Sequence, residues 1–118
     1  MISKELLNKV LNIEIVSYQM KQKNILAYEY NKVSKNQWSG KTFCNRSMNI
    51  YELAHKCKEW AFNKDKYKWL FSYKAFTKCH CDIVDNHNRK YIFVSFAGNN
   101  EPEAIFKACQ WILDKDSK

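Results

Sequence analysis

Residues 71–83 read FSYKAFTKCHCDI, and side chains alternate along this stretch. One side of an extended chain would carry Phe71, Tyr73, Ala75, Thr77, Cys79, Cys81 and Ile83, and the other Ser72, Lys74, Phe76, Lys78, His80 and Asp82. A period of two is typical of a β-strand with one buried face. Because thirteen residues exceed the usual strand length, we expect a bend or bulge near Lys74.

The neighbouring segments predict further strands arranged as hairpins. The sequence DNHNRK (85–90) has the composition of a turn, and YIFVSF (91–96) returns as the paired strand. An earlier hairpin is predicted where IEIVSYQM (13–20) and ILAYEY (25–30) flank the polar sequence KQKN. Residues 31–48 lose periodicity, which predicts a long surface loop with room for a short edge strand.

Three helices are predicted from capping residues and from apolar side chains at 3.6-residue spacing. They cover residues 3–12, residues 49–62 and a last segment that begins at Asn100. Ser3 and Asn49 have the side chains that cap the first two helices. The predicted order is therefore αββαββα.

This order predicts an α+β fold in which residues 1–118 form a single domain, with antiparallel β-hairpins packed against three helices. A short pattern also recurs 51 positions apart: Asn49, Glu52, Lys56 and Trp60 correspond to Asn100, Glu103, Lys107 and Trp111. The recurrence is compatible with a duplicated ββα unit. The alternative is that two unrelated helices share one type of cap and one amphipathic spacing.

The composition predicts a folded cytoplasmic protein. Hydrophobic residues make up 46% of the 118 residues, and no apolar run approaches the roughly 18 residues of a membrane span. The N-terminal sequence MISKELLNKVLN lacks the apolar core of a signal peptide. Five cysteines are an odd number, and we expect them to be reduced thiols.

The sequence predicts no metal ion, no cofactor and no catalytic residue. Cys79 and Cys81 would point to the same face of a strand and His80 to the other, whereas structural zinc needs about four converging ligands. The sequence from Glu52 to His55 is half of a di-iron motif, but it has no second copy and Glu52 is explained by helix capping. We therefore expect a protein that is not an enzyme. A cysteine nucleophile beside a histidine stays open as an alternative, because such partners meet only in space.

The candidate contact surface combines cations with aromatic rings. No acidic residue occurs between Glu29 and Glu52, and a second basic stretch surrounds Tyr67. The candidate contact residues are Lys32, Lys35, Trp38, Lys41, Phe43, Arg46, Lys64, Lys66, Tyr67 and Lys68.

Two classes of partner fit such a surface. Lysines that neutralise phosphates, together with rings that stack on bases, are the chemistry of single-stranded nucleic-acid binding. Aromatic anchors surrounded by charges that steer association are equally typical of a protein interface. Of the 20 positive residues only Arg46 and Arg89 are arginine, the residue that reads phosphates and guanines best, so a protein partner is favoured. No membrane partner is expected, and an unpaired edge of the hairpin over 13–30 could support a homodimer.

The sequence EPEAIFKACQWIL (101–113) resembles the closing helix of small phage and prophage proteins of unknown function. In these proteins a Pro-Glu-Ala start leads into an alanine-rich amphipathic helix. The likeness covers about a tenth of the chain and contains no catalytic residue. It implies a mobile-element accessory protein that acts on a host or phage protein.

Overall fold

The computed structural model describes residues 2–33, 41–65, 68–88 and 90–116. These residues form three helices and six strands in the order αβββαβββα. The elements are α1 (Lys4–Leu11), β1 (Glu14–Gln22), β2 (Ile25–Val33), β3 (Lys41–Asn49), α2 (Ile50–Lys64), β4 (Lys68–Ala75), β5 (Lys78–Asp85), β6 (Ile92–Gly98) and α3 (Glu101–Asp116). The predicted α+β class is confirmed, and each half of the chain has one strand more than predicted.

The strands form two separate antiparallel meanders. The first sheet has the order β1-β2-β3, and the second sheet has the order β4-β5-β6. Helix α3 packs across the second sheet and against α2, while α1 contacts β1 and both other helices. Buried side chains from both halves belong to one core, so the chain is a single domain. No described helix combines the length and the apolar character needed to cross a membrane.

The prediction of a long loop over residues 31–48 is wrong at both ends: β2 continues to Val33, and the edge strand allowed for in this region is the nine-residue strand β3, which begins at Lys41. Strand β3 pairs with β2 in continuous register, from Ile25 opposite Asn49 to Val33 opposite Lys41. The sequence hides this strand because it lies at the edge of the sheet, where it buries little: among residues 44–49, whose side chains the structure describes, only Cys44 and Met48 are partly buried against the core. Position in a sheet decides strand formation here more than intrinsic propensity does.

The single long strand predicted over residues 71–83 is in fact a hairpin. Strands β4 and β5 pair from Lys68 opposite Asp85 to Ala75 opposite Lys78, and only Phe76 and Thr77 form the turn. The turn was missed because neither residue is typical of a two-residue hairpin turn, which usually contains glycine or asparagine. Phe76 instead adopts φ 58°, in the left-handed region.

The turn also reverses the alternation that the sequence suggested. Phe71 pairs with Asp82, and Ser72 pairs with Cys81. Directly opposed residues share a face, so Cys81 lies on the core side with Ser72, while Phe71 lies on the other side with Asp82. The prediction that Phe71 and Cys81 share a face is therefore wrong.

The recurring Asn and Glu pattern corresponds to two βββα units. Asn49 caps α2 by accepting a hydrogen bond from the Tyr51 amide (2.8 Å). Asn100 accepts one from the Glu103 amide (2.9 Å), and the Glu103 carboxylate accepts one from the Asn99 amide (3.2 Å). At α3, therefore, Asn100 caps the helix and Glu103 reaches back to the amide of the residue before the cap, which is a variant of the capping box.

Gly98 ends β6 where the strand comes close to α3. A Cβ atom added at Gly98 would lie 2.8 Å from the Ala104 backbone nitrogen and 2.9 Å from the Glu103 Cβ. These are atoms of the helix start, which cannot move away as the end of a flexible side chain could. The glycine therefore allows the second sheet to pack closely against α3.

Candidate functional site

The structure describes the side chains of three of the ten predicted contact residues, and these three lie in two parts of the fold. Lys35, Trp38, Lys66 and Tyr67 lie outside the described residues, as do the side chains of Lys32, Lys41 and Phe43. Arg46 is an exposed residue of the first sheet, on β3 opposite Tyr28. Lys64 and Lys68 lie at the junction of α2 and the second sheet, where Lys68 forms an ion pair with Asp65.

The structure instead reveals an aromatic surface on the second sheet. Alternate residues of β4 point away from α3, and these are Trp69, Phe71 and Tyr73. All three are exposed, with Phe71 accessible over 54% of its surface. Ile92, at 51%, extends this surface onto β6 beyond Val84. We call this surface the aromatic face, and it consists of Trp69, Phe71, Tyr73, His80, Val84 and Ile92.

Contacts between the rings hold the aromatic face in place. Tyr73 stacks on His80 of β5, with ring centroids 5.2 Å apart and an interplanar angle of 15°. Phe71 lies 5.8 Å from Tyr73, and Trp69 makes an edge contact with Phe62 of α2 at 5.7 Å. Side chains fixed in this way lose little further rotamer entropy when a partner covers them.

Asp82 lies between His80 and Val84 on this side of β5, and its side chain is only 6% exposed. It accepts a hydrogen bond from the Tyr73 hydroxyl at 3.4 Å. Burial and then the nearby Asp82 carboxylate raise the pKa of Tyr73, so the phenol stays a neutral donor. The centre of the aromatic face therefore offers little negative charge to solvent.

A shallow groove extends the aromatic face over the edge of the sheet. It has a volume of about 450 Å³ and runs between α2 and β4. Its lining includes Phe62, Trp69 and Leu70, with Lys58 and Lys68 at its border. Trp69 belongs to both surfaces, so apolar contact area continues from the sheet to the helix.

The hairpin between β4 and β5 carries a further exposed aromatic residue, Phe76, in its turn. Phe76 is 100% exposed and adopts φ 58°. Lys74 and Lys78 flank it, and neither forms an ion pair within the described residues. We call these three residues the Phe76 tip.

The outward side of the first sheet presents several polar groups among its described side chains. It presents Ser17, Gln19, Glu29, Asn45 and Ser47, and the Ser17 hydroxyl donates to the Glu29 carboxylate at 3.0 Å. Both sheets have the same strand order, yet among the side chains that the structure describes only the second sheet exposes a set of large aromatic rings on its outward side. The aromatic face is therefore a property of its sequence rather than a consequence of the architecture.

The cysteines form part of the core and not of this surface. Cys57, Cys81 and Cys109 are buried, and the Cys109 thiol donates to the Cys57 carbonyl oxygen at 3.5 Å. Burial raises the pKa of Cys81 to about 12, and the hydrogen bond with Cys57 followed by burial raises the pKa of Cys109. These thiols stay protonated at neutral pH and are poor nucleophiles. The prediction that Cys79 and Cys81 point inward and His80 outward is confirmed.

Among the described residues, no three His, Cys, Asp or Glu side chains are grouped so that they could hold a metal ion. Glu52 and His55 are both exposed on α2, and His55 contacts Glu59 at 3.2 Å. A scan against protein-family models, a search of curated proteins and a search of solved structures each found no match to this chain.

Proposed function

We propose that this protein is a non-enzymatic binding module that docks a partner protein through the aromatic face. The observation that carries the proposal is the row of Trp69, Phe71 and Tyr73 exposed on one strand. Soluble proteins rarely expose contiguous large apolar surfaces unless these serve an interaction. Tryptophan and tyrosine are also enriched among the residues that contribute most to protein–protein affinity.

The arrangement of charge favours a protein over a nucleic acid. The middle row of the aromatic face is Phe71 with the 6%-exposed Asp82, and Lys78 lies at its hairpin end opposite Ala75. Lys68 and Lys74 lie on the opposite side of β4. An apolar centre with a charged rim is the anatomy of a protein interface. A groove for single-stranded nucleic acid would instead place cations along the backbone path, between the stacking rings.

The aromatic side chains also bear on this choice. One side of the Tyr73 ring is covered by His80, so that side is not available to a base. Nucleic-acid binding remains the second candidate function, because exposed rings and a net charge of +8 are its two general requirements.

The setting that we propose is the cytoplasm of a host cell, with the protein encoded by a phage or prophage. All five cysteines are free thiols, as expected in a reducing compartment. The resemblance of residues 101–113 to phage proteins supports a host or phage protein as the partner.

The test is affinity purification from a host cell extract with three forms of the protein. The face variant carries Phe71→Ser and Ile92→Ser, whose side chains are more than half exposed, so we expect it to fold normally. The control variant carries Gln19→Ala and Ser47→Ala on the polar outward side of the first sheet. A partner retained by the wild type and by the control is then purified and titrated against all three forms.

We expect the face variant to lose about 30-fold or more in affinity, equivalent to about 2 kcal/mol. The control variant should bind within about twofold of the wild type. Equal binding by the face variant and the wild type would contradict the proposed function.

A further inference from the structure

We infer that the Phe76 tip recognises an acidic protein surface that has an apolar pocket for the Phe76 ring. This inference rests on the proposed function and specifies the chemistry of the partner. It depends on three features of the tip: its backbone conformation, its continuity with the aromatic face and its unpaired charge.

Nothing within the fold accounts for a phenylalanine at position 76. The ring is 100% exposed, so it contributes no packing in the free protein. The φ of 58° is a conformation that glycine or asparagine adopts far more readily, so the turn does not require this residue either. A fully exposed aromatic residue held in a strained backbone conformation therefore indicates a role in function and not in folding.

The Phe76 tip continues the surface that the proposed function uses. The outward residues of β4 run from Trp69 through Phe71 and Tyr73 toward the turn. At about 3.3 Å per residue, the strand from Trp69 to Ala75 spans roughly 20 Å. A partner seated on the aromatic face therefore reaches the Phe76 ring without leaving this strand.

The charge around the tip selects an acidic partner. Between Asp65 and Asp82 the sequence contains four lysines and no acidic residue. Lys68 is paired with Asp65, whereas Lys74 and Lys78 have no ion pair within the described residues. Carboxylates around the pocket of the partner would complement these two lysines, steer its approach and disfavour basic proteins.

The experiment selects binders to the wild-type protein from a displayed library of a small folded three-helix scaffold with randomised surface residues. A folded scaffold is needed because a short peptide has no pocket for a ring. Selection at near-physiological salt should enrich Asp and Glu together with apolar residues at the randomised positions. The best binders are then titrated against variants of this protein.

Three variants separate the contributions. Phe76→Gly removes the ring and keeps a residue that adopts the turn, and Lys74→Gln with Lys78→Gln removes the charges. Lys4→Gln with Lys9→Gln on α1 makes the same change in net charge at a distant site and is the matched control. We expect the first two to weaken binding at least tenfold and the control to change it less than twofold.

Three results would overturn the inference. One is a set of binders that are insensitive to Phe76→Gly but lost with the face variant, which would leave the proposed function standing. Another is a set of binders that neither Phe76→Gly nor the face variant weakens, or no binder to the wild-type protein at all; either result would count against both the inference and the proposed function. The third is binding of a 20-residue oligothymidylate at near-physiological salt that Phe76→Gly abolishes, which would assign the tip to nucleic acid.

Discussion

Replacing Phe76 by glycine should make the protein more stable. An L-residue in the left-handed region costs about 1–2 kcal/mol, and the exposed ring offsets none of this by burial. Glycine removes that cost but adds about 0.5–1 kcal/mol of backbone entropy to the unfolded chain. From the midpoints of these two ranges, the net increase in the free energy of unfolding is about 0.75 kcal/mol.

The size of the effect can be expressed as a melting temperature. At roughly 2.1 cal/mol/K per residue, unfolding of 118 residues has an entropy of about 0.25 kcal/mol/K, so we expect Tm to rise by about 2–4 °C. Urea unfolding followed by tryptophan fluorescence gives the same quantity independently. Four tryptophans provide the signal.

Two further substitutions isolate the cause. Phe76→Asn should also stabilise the protein, though less, because asparagine tolerates the left-handed region. Phe76→Ser removes the ring but keeps most of the strain, so its effect should be within about 0.5 kcal/mol of zero. A fall in Tm for Phe76→Gly, or an equal rise for Phe76→Ser, would refute the argument from backbone strain.

Three other changes test the fold. Gly98→Ala should destabilise the protein by about 1–3 kcal/mol in urea unfolding, because the new Cβ would lie 2.8 Å from the Ala104 nitrogen; an unchanged midpoint would contradict this close approach. Asn49→Ala and Asn100→Ala should each lower the free energy of unfolding by about 1 kcal/mol, because each removes a helix cap. A loss of helical circular dichroism signal without a change in the free energy of unfolding would argue against a capping effect. Burial raises the pKa of Cys81 in the folded protein from 9.0 to about 12, so the stability that this thiol contributes is complete below pH 9 and is lost as pH rises toward 12. The free energy of unfolding should therefore fall less steeply between pH 9 and pH 12 in Cys81→Ala than in the wild type. Equal slopes would be inconsistent with a buried thiol.

The helices were predictable because each carries its own start signal. Ser3 caps α1 as expected, and α2 begins at Ile50 directly after its cap, Asn49. Capping residues and 3.6-residue periodicity are local properties, so a single sequence contains them in full. The repeated caps also pointed to the two similar halves, although not to their third strands.

The strands were less predictable because their pairing is not local. A two-residue turn without glycine left the alternation apparently continuous from Phe71 to Ile83, and this assigned Phe71 and Tyr73 to the core side. The aromatic face was missed for the same reason, since Phe71 and Tyr73 were assigned to the same side as the core residue Cys81. Only the pairing register, which depends on contacts between strands, shows that the face points to solvent.

The difference between the two outward sheet surfaces has a consequence for stoichiometry. A protein with an adhesive surface on both sheets could join two partners and act as an adaptor, or assemble into chains of alternating molecules. Here the described side chains on the outward side of the first sheet include hydroxyl, amide and carboxylate groups, and within this described part only the second sheet presents large rings. If the protein binds through the second sheet alone, as we propose, it would be monovalent and would cover a site on its partner rather than connect that partner to anything else.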